Sequence, residues 1–137
     1  MQIVLANPTQ ISEVVTFFNK NLDCNNSAVY SEEFICPLGI QAAIKRKQLI
    51  VATMDGQVVG AFRFYRKKTQ NKISLYQFAI SEAYRGTGLL KKMLTRINDL
   101  PIVALCPTDS KFNNYFQKTE WELQAQNEEF KMWVFNN

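Results

Sequence analysis

In the stretch AYRGTGLLKKML, residues 83–94, two glycines stand one residue apart, directly after an apolar run and directly before a helical pattern. Glycine lets the backbone take positive φ and keeps side chains away from its N–H groups. The first N–H groups of a helix have no internal partner and lie at the positive end of the helix dipole. Gly86 and Gly88 therefore suit the close approach of a phosphate that accepts several N–H bonds at once, with Arg85 adding positive charge at the same mouth. The same residues also suit a tight strand-to-helix turn with no ligand, and the local pattern does not choose between the two. Two other phosphate motifs are excluded. A dinucleotide fingerprint needs a further glycine where Lys91 stands, and a P-loop needs Gly-Lys-Ser/Thr, which GLLKKM lacks.

Other chemistry is narrowed by what is missing. The 137 residues contain no histidine, which removes histidine-based triads and the usual zinc constellations, so no metal is expected. The three cysteines, Cys24, Cys36 and Cys106, are odd in number and far apart. Proton transfer and charge stabilisation must then come from carboxylates, tyrosine, lysine, backbone amides or a cofactor. The net charge of +4 is concentrated in KRK (45–47), RFYRKK (63–68) and LKK (90–92). No nucleic-acid motif accompanies these clusters, so a solvated face or attraction of a polyanionic cofactor is favoured over nucleic acid as a partner. No apolar stretch approaches the roughly 18 residues of a membrane helix, and the N-terminus lacks a basic signal region, so a cytoplasmic location without membrane contact is expected.

Elements able to position this loop follow from periodicity. QIVLA (2–6) suits a strand, and NPTQISEVVTFF opens a helix with Asn7 as N-cap and Pro8 at its first position. Ile11, Val14, Val15, Phe18 and Leu22 form its buried stripe. Residues 23–36 are polar and irregular, with a helical turn suggested around SEEF, and 38–48 carry a weak helical pattern. Asp55-Gly56 between LIVATM and QVVGAFRFY signals a hairpin, and KKTQNK a second hairpin loop before the strand KISLYQFAI (72–80). After the glycines, Leu89, Leu90, Met93, Leu94 and Ile97 share a helical face. PIVALC (101–106) suits a buried strand, SKFNNYFQK a short helix with Phe112 and Phe116 on one side, and EWELQA and FKMWVF two closing strands. Strand, helix and strand over 72–106 call for a parallel pair with a right-handed crossover. The expected fold is α/β: a mixed, mostly antiparallel twisted sheet with a central parallel βαβ unit and flanking helices, forming a single domain over 1–137.

The segment FAISEAYRGTGLLKKML resembles motif A of the GNAT superfamily of acyl-CoA-dependent N-acetyltransferases, in which an apolar strand leads into Gln/Arg-x-x-Gly-x-Gly/Ala. Arg85, Gly86, Thr87, Gly88, Leu89 and Leu90 fill that segment, with Leu90 where Gly or Ala is usual. DSKFNNYFQKTEW (109–121) is similar to the family's later segment Asn-x-x-Ala-x-x-Leu-Tyr-x-Lys-x-Gly-Phe. There Asp109 stands for Asn, Tyr115 for Leu, Phe116 for Tyr, Glu120 for Gly and Trp121 for Phe, while Lys118 keeps its lysine. TMDGQVVGAFRFY resembles the hairpin before motif A, and the element order agrees over essentially the whole chain.

The resemblance implies that amides of 85–90 hold the pyrophosphate of acetyl-CoA as co-substrate. It also implies that the backbone of Phe78, Ala79 and Ile80 bonds the pantetheine arm like an added strand in a gap between 72–80 and 101–106. Transfer in the family is usually direct, which the resemblance implies here from thioester to the amine of a small molecule or peptide. Many relatives use a tyrosine acid where Phe116 stands. Tyr115 is the candidate replacement, although one residue along a helix turns a side chain by about 100°. The strand 72–80 carries no carboxylate base; by the period of two, Ser74 and Tyr76 share one face and Gln77 takes the other. Glu32, Glu33 and Tyr76 are candidates for binding the acceptor. Cys106, near the expected thioester, has no histidine to activate it and is expected to be a buried structural thiol. Trp121 and Trp133 are expected in sheet and core. An apolar terminal strand such as KMWVF could pair across a homodimer. Two rivals remain: a GNAT-like CoA-binding module without catalysis, and a nucleic-acid-associated protein using the hairpin 63–68.

Overall fold

Six runs that carry β-branched or aromatic residues and a seventh, ELQAQ, that carries none pair into one sheet among residues 1–21 and 36–136, the part of the chain that the computed structural model describes. The strands are β1 (Gln2–Leu5), β2 (Leu49–Met54), β3 (Gln57–Lys67), β4 (Lys72–Ile80), β5 (Ile102–Pro107), β6 (Glu122–Gln126) and β7 (Phe130–Phe135). Their order is β1-β2-β3-β4-β5-β7-β6, and β4–β5 is the parallel pair in a sheet otherwise antiparallel. The mixed α/β architecture expected from the sequence is therefore the observed one. Leu22, Cys24, the SEEF turn, Glu32 and Glu33 lie outside the described residues.

Helices α1 (Ile11–Asn21) and α2 (Pro37–Lys45) cover one face, and α3 (Leu89–Leu94) and α4 (Phe112–Lys118) the other. A 3-10 turn, Pro8–Gln10, leads into α1. The Asn7 side chain accepts from Thr9 N–H and Gln10 Oε1 accepts from Asn7 N–H, both at 3.0 Å, which satisfies donors the helix start would leave open. Val14, Phe17 and Phe18 of α1 pack on Leu49, Val51, Ala61 and Ala79. Phe17 lies off the stripe that the spacing predicts; it sits one position from Phe18, and the two rings meet at 6.2 Å. Phe18 is fully buried. Phe18→Ala should cost about 3–5 kcal/mol, seen as a lower urea midpoint; a midpoint unmoved would mean that this face contributes little to the fold.

The Asp55-Gly56 hairpin has φ of 52° and 79°, the two left-handed residues that a type I′ turn requires. On the opposite face Leu89, Leu90, Met93, Leu94 and Ile97 are all buried, as their spacing predicts, though the last turn (Thr95–Ile97) tightens to 3-10 geometry. β7 is paired on both sides, by β5 and by β6. FKMWVF is thus an interior strand and cannot itself offer an edge to a second copy; the free edge at that end belongs to β6.

Two irregularities shape the centre of the sheet. β4 and β5 pair only at Ile73–Ile102 and Ser74–Val103, so their remaining lengths diverge and leave a gap. β4 also carries a bulge: Gln77 pairs with Arg63 and Leu75 with Phe64, so Tyr76 has no residue opposite it in β3. The period of two fails there. Tyr76 and Gln77 do not separate to opposite faces, because both reach the Arg63 guanidinium, which lies 4.9 Å over the Tyr76 ring and 3.4 Å from Gln77 Oε1.

Candidate active site

The end of β4 and the start of α3 form one side of a groove of about 790 Å³, and α4 forms the other. The loop between β4 and α3 needs its glycines: Gly86 and Gly88 have φ of 76° and 81°, a region costly to any residue with a Cβ. The first intrahelical bond runs from Lys92 N–H to Gly88 O at 3.1 Å, which leaves the N–H groups of Leu89, Leu90 and Lys91 without an intrahelical acceptor. Since α3 spans six residues, its dipole is small, and an anion here would be held mainly by individual N–H donors. The Thr87 hydroxyl donates to Tyr84 O at 2.5 Å and so ties the loop to the turn before it. Leu90, where the resemblance leads one to expect a small residue, is buried in the core cluster and also borders the groove.

Arg85 lines the groove, but its guanidinium folds back. Nε donates to Ile80 O at 3.0 Å and Nη2 to Asn21 O at 3.5 Å, joining the ends of β4 and α1. Ser81 N–H bonds Val59 O on β3. By the alternation of an antiparallel ladder, the backbone groups of Phe78 and Ile80 then point away from β3, into the gap beside β5. Ala79 and Asn21 also line the groove although both belong to the α1 side, so the groove reaches through the gap to the second face.

Helix α4 is seated with Tyr115 toward the groove. Phe112, Tyr115, Lys118 and Thr119 line it at spacings of three and four, and the Phe78 ring lies 6.1 Å from Tyr115 and 5.9 Å from Phe112. Phe116 is 2% exposed, stacked on Trp133 at 5.7 Å and edge-on to Trp121 at 5.0 Å. Both tryptophans are core residues, as expected. Burial pushes the Tyr115 phenol up, with hydrogen bonding from Trp121 and Thr119 opposing the shift. Its proton is therefore retained throughout neutral pH. The stability tied to the buried neutral phenol is complete below tyrosine's ordinary value of about 10 and is lost as pH rises through the higher folded value.

Across the mouth, Lys91 and Glu120 pair at 2.5 Å; both are more than half exposed, so the contact bridges α3 to the turn after α4 without much energy. Tyr76 is half exposed beside Tyr65 and Arg63 and does not line this groove. Cys106 is buried near Ser110, and desolvation raises its thiol, with Ser110 and Lys131 opposing the shift. Such a thiol should stay unmodified by iodoacetamide at pH 8 in the native protein and react only after unfolding; rapid native labelling at Cys106 would contradict the buried-thiol reading.

One residue escaped the sequence reading. Asn113 is 8% exposed and donates through Nδ2 to the carbonyls of Pro107 (2.8 Å), Ser110 (3.0 Å) and Thr108 (3.2 Å), while Oδ1 accepts from Trp133 Nε1 at 2.9 Å. The available signal was its spacing, three residues before Phe116 on the same helical face.

This geometry has known counterparts. The PaiA N-acetyltransferase of Thermoplasma acidophilum in complex with coenzyme A matches with a TM-score of 0.74 at 14% identity, covering 99% of this chain and 98% of that one. YncA of Salmonella typhimurium, a putative acetyltransferase solved with acetyl-CoA, matches with 0.74 at 14% identity, covering 99% and 93%. GphF, a GNAT-like decarboxylase in complex with isobutyryl-CoA, matches equally well with 0.74 at 8% identity, covering 99% of both chains, so this fold serves more than one reaction. No curated protein sequence matches the chain. Residues 19–104 match the family model described as Acetyltransferase (GNAT) domain, which spans the α1–β5 region including the glycine loop and both sides of the gap. On that match, and with the fold agreeing over nearly its full length, the chain belongs to the GNAT acetyltransferase family.

Proposed function

We propose that the protein transfers an acetyl group directly from acetyl-CoA to a primary amine carried by a small molecule or peptide. The observation that carries this reading is the continuity of the groove: bare N–H donors at 86–91, unladdered backbone at Phe78 and Ile80, and a phenol at Tyr115 lie along one channel through the sheet. Pyrophosphate would accept from the loop amides, and the pantetheine amides would bond the free edge of β4. Arg85 already occupies one lone pair of Ile80 O, so it fixes that carbonyl for the second acceptor site.

In the reaction, the neutral amine nitrogen bonds the thioester carbon and the C–S bond breaks. The ammonium proton passes to water, and the leaving thiolate takes a proton from Tyr115 Oη, which is later reprotonated from solvent. Glu32 and Glu33 are proposed to attract the acceptor amine, with Tyr76 bordering its approach on the α1 face. Acetyl-CoA with a panel of primary amines should release free thiol in step with N-acetylated product. Calorimetry that registers no heat for any coenzyme A thioester with folded protein would remove this reading.

A second reading is favoured by one observation. Phe116 occupies the family's usual tyrosine position and is sealed in the core, as a CoA-binding module without catalysis could have it. That module would bind coenzyme A yet release no thiol with any amine.

A further inference from the structure

Resting on the role of Tyr115 just given, we propose that Asn113, docked on Trp133, is a positioning residue for the transfer, because it fixes the rotation of α4 that turns Tyr115 into the groove. A seven-residue helix has little intrinsic preference for one rotation, and the residue pair 115–116 could present either ring to the gap. Asn113 removes that freedom. Its amide is shared among three carbonyls of the turn after β5, and its oxygen is held by the indole N–H of β7. Phe116, three residues on, lies at 19° to the plane of the same Trp133 ring. One tryptophan thus grips the helix twice, by its N–H and by its face, along the 113–116 seam.

The neighbouring seam, Phe112 and Tyr115, about 100° round the helix, then lines the groove beside Phe78, while Phe116, whose ring is also 6.2 Å from that of Phe78, does not line it. A buried asparagine with all of these partners costs little, whereas loss of the amide strands the indole donor and the Thr108 carbonyl and leaves the carbonyls of Pro107 and Ser110 with a single backbone donor each. Ser110 Oγ adds a local restraint by accepting from Phe112 N–H at 3.2 Å. The departure from the family's motif at 115–116 is coherent on this basis: the hydroxyl has moved by one residue, and the docking of the helix decides which residue meets the channel.

The test begins with Asn113→Ala in the full chain. Turnover should fall on the order of tenfold to a hundredfold, the scale of a small misplacement at a reacting centre, while KM for acetyl-CoA moves by less than about threefold, the glycine loop being untouched. Trp133→Phe deletes the indole donor but keeps a ring beneath Phe116, so it should show the same split with a smaller loss. Tyr115→Phe combined with Phe116→Tyr moves the hydroxyl to the family's usual position and should stay inactive. Recovered turnover in that pair, or unchanged kcat in both Asn113→Ala and Trp133→Phe, overturns the proposal. Tyr115→Phe alone separates the two ideas, since full turnover there removes the acid role itself. The docking is then judged by maleimide labelling of Tyr115→Cys, located by mass spectrometry. Coenzyme A should slow that labelling, and no longer do so once Asn113→Ala is added; protection that persists overturns the docking role.

Discussion

Replacing Tyr115 by Phe is expected to lower kcat by about a hundredfold to ten-thousandfold, the usual contribution of a positioned general acid. KM for acetyl-CoA should stay within roughly threefold, because a hydroxyl used only as the C–S bond breaks adds to transition-state binding and not to ground-state binding. The packing supports a clean comparison. Tyr115 meets Phe78 and Phe116 through its ring, and those contacts survive the substitution. Thiol release should be measured under saturating acetyl-CoA. The wild-type rate should hold into the alkaline range, since burial keeps the phenol protonated beyond its ordinary titration range. Turnover equal to wild type in the Tyr115→Phe protein would leave protonation of the thiolate to water and would strip Tyr115 of any chemical part.

The second large effect is expected from Gly88→Val. Gly88 caps α3 at a φ of 81°, where a β-branched residue is strained, by roughly 1–2 kcal/mol or more. Space is not the difficulty, for a Cβ at this position would meet nothing within 4 Å. Relief of the strain would turn the peptide planes on either side and misdirect the N–H groups of Gly88 and Leu89. A hydrogen bond to a charged group contributes about 1.5–3 kcal/mol, so one lost donor corresponds to roughly 10- to 150-fold weaker binding of acetyl-CoA. Calorimetry on the folded variant measures this directly. A dissociation constant equal to wild type would mean that the phosphates lie elsewhere.

Most of the fold could be read because each element carries its own period. The stripe 89-90-93-94-97 is a helical face in any context, and all five side chains are buried on it. Asp55-Gly56 forces a tight hairpin by its backbone preference alone. Gly86 and Gly88 declared their left-handed backbone in the same way. Where the reading went astray, the cause was a contact between distant residues. The β4 bulge depends on how Arg63 and Phe64 pair with Gln77 and Leu75, and it cancels the alternation that put Tyr76 and Gln77 on opposite faces. FKMWVF reads as free to pair with another copy because one neighbour, β5, comes from a distant part of the chain, Ile102–Pro107, and no local signal shows that β5 and β6 flank it on both sides. Arg85 looked like a charge aimed at the ligand, and its guanidinium instead reaches the carbonyls of Ile80 and of Asn21, a residue far away in the chain.

The order of elements, the glycine loop, the absence of histidine chemistry and the family likeness are thus properties of the linear chain. They arise from local backbone preference and side-chain period, which act over a few residues. Which ring of the Tyr115–Phe116 pair enters the channel is a different kind of property. Both residues fit the same helix equally well, and contacts from outside it, Trp133 and Trp121 on Phe116 and Trp133 with the turn after β5 on Asn113, hold that side in the core and leave Tyr115 to the groove.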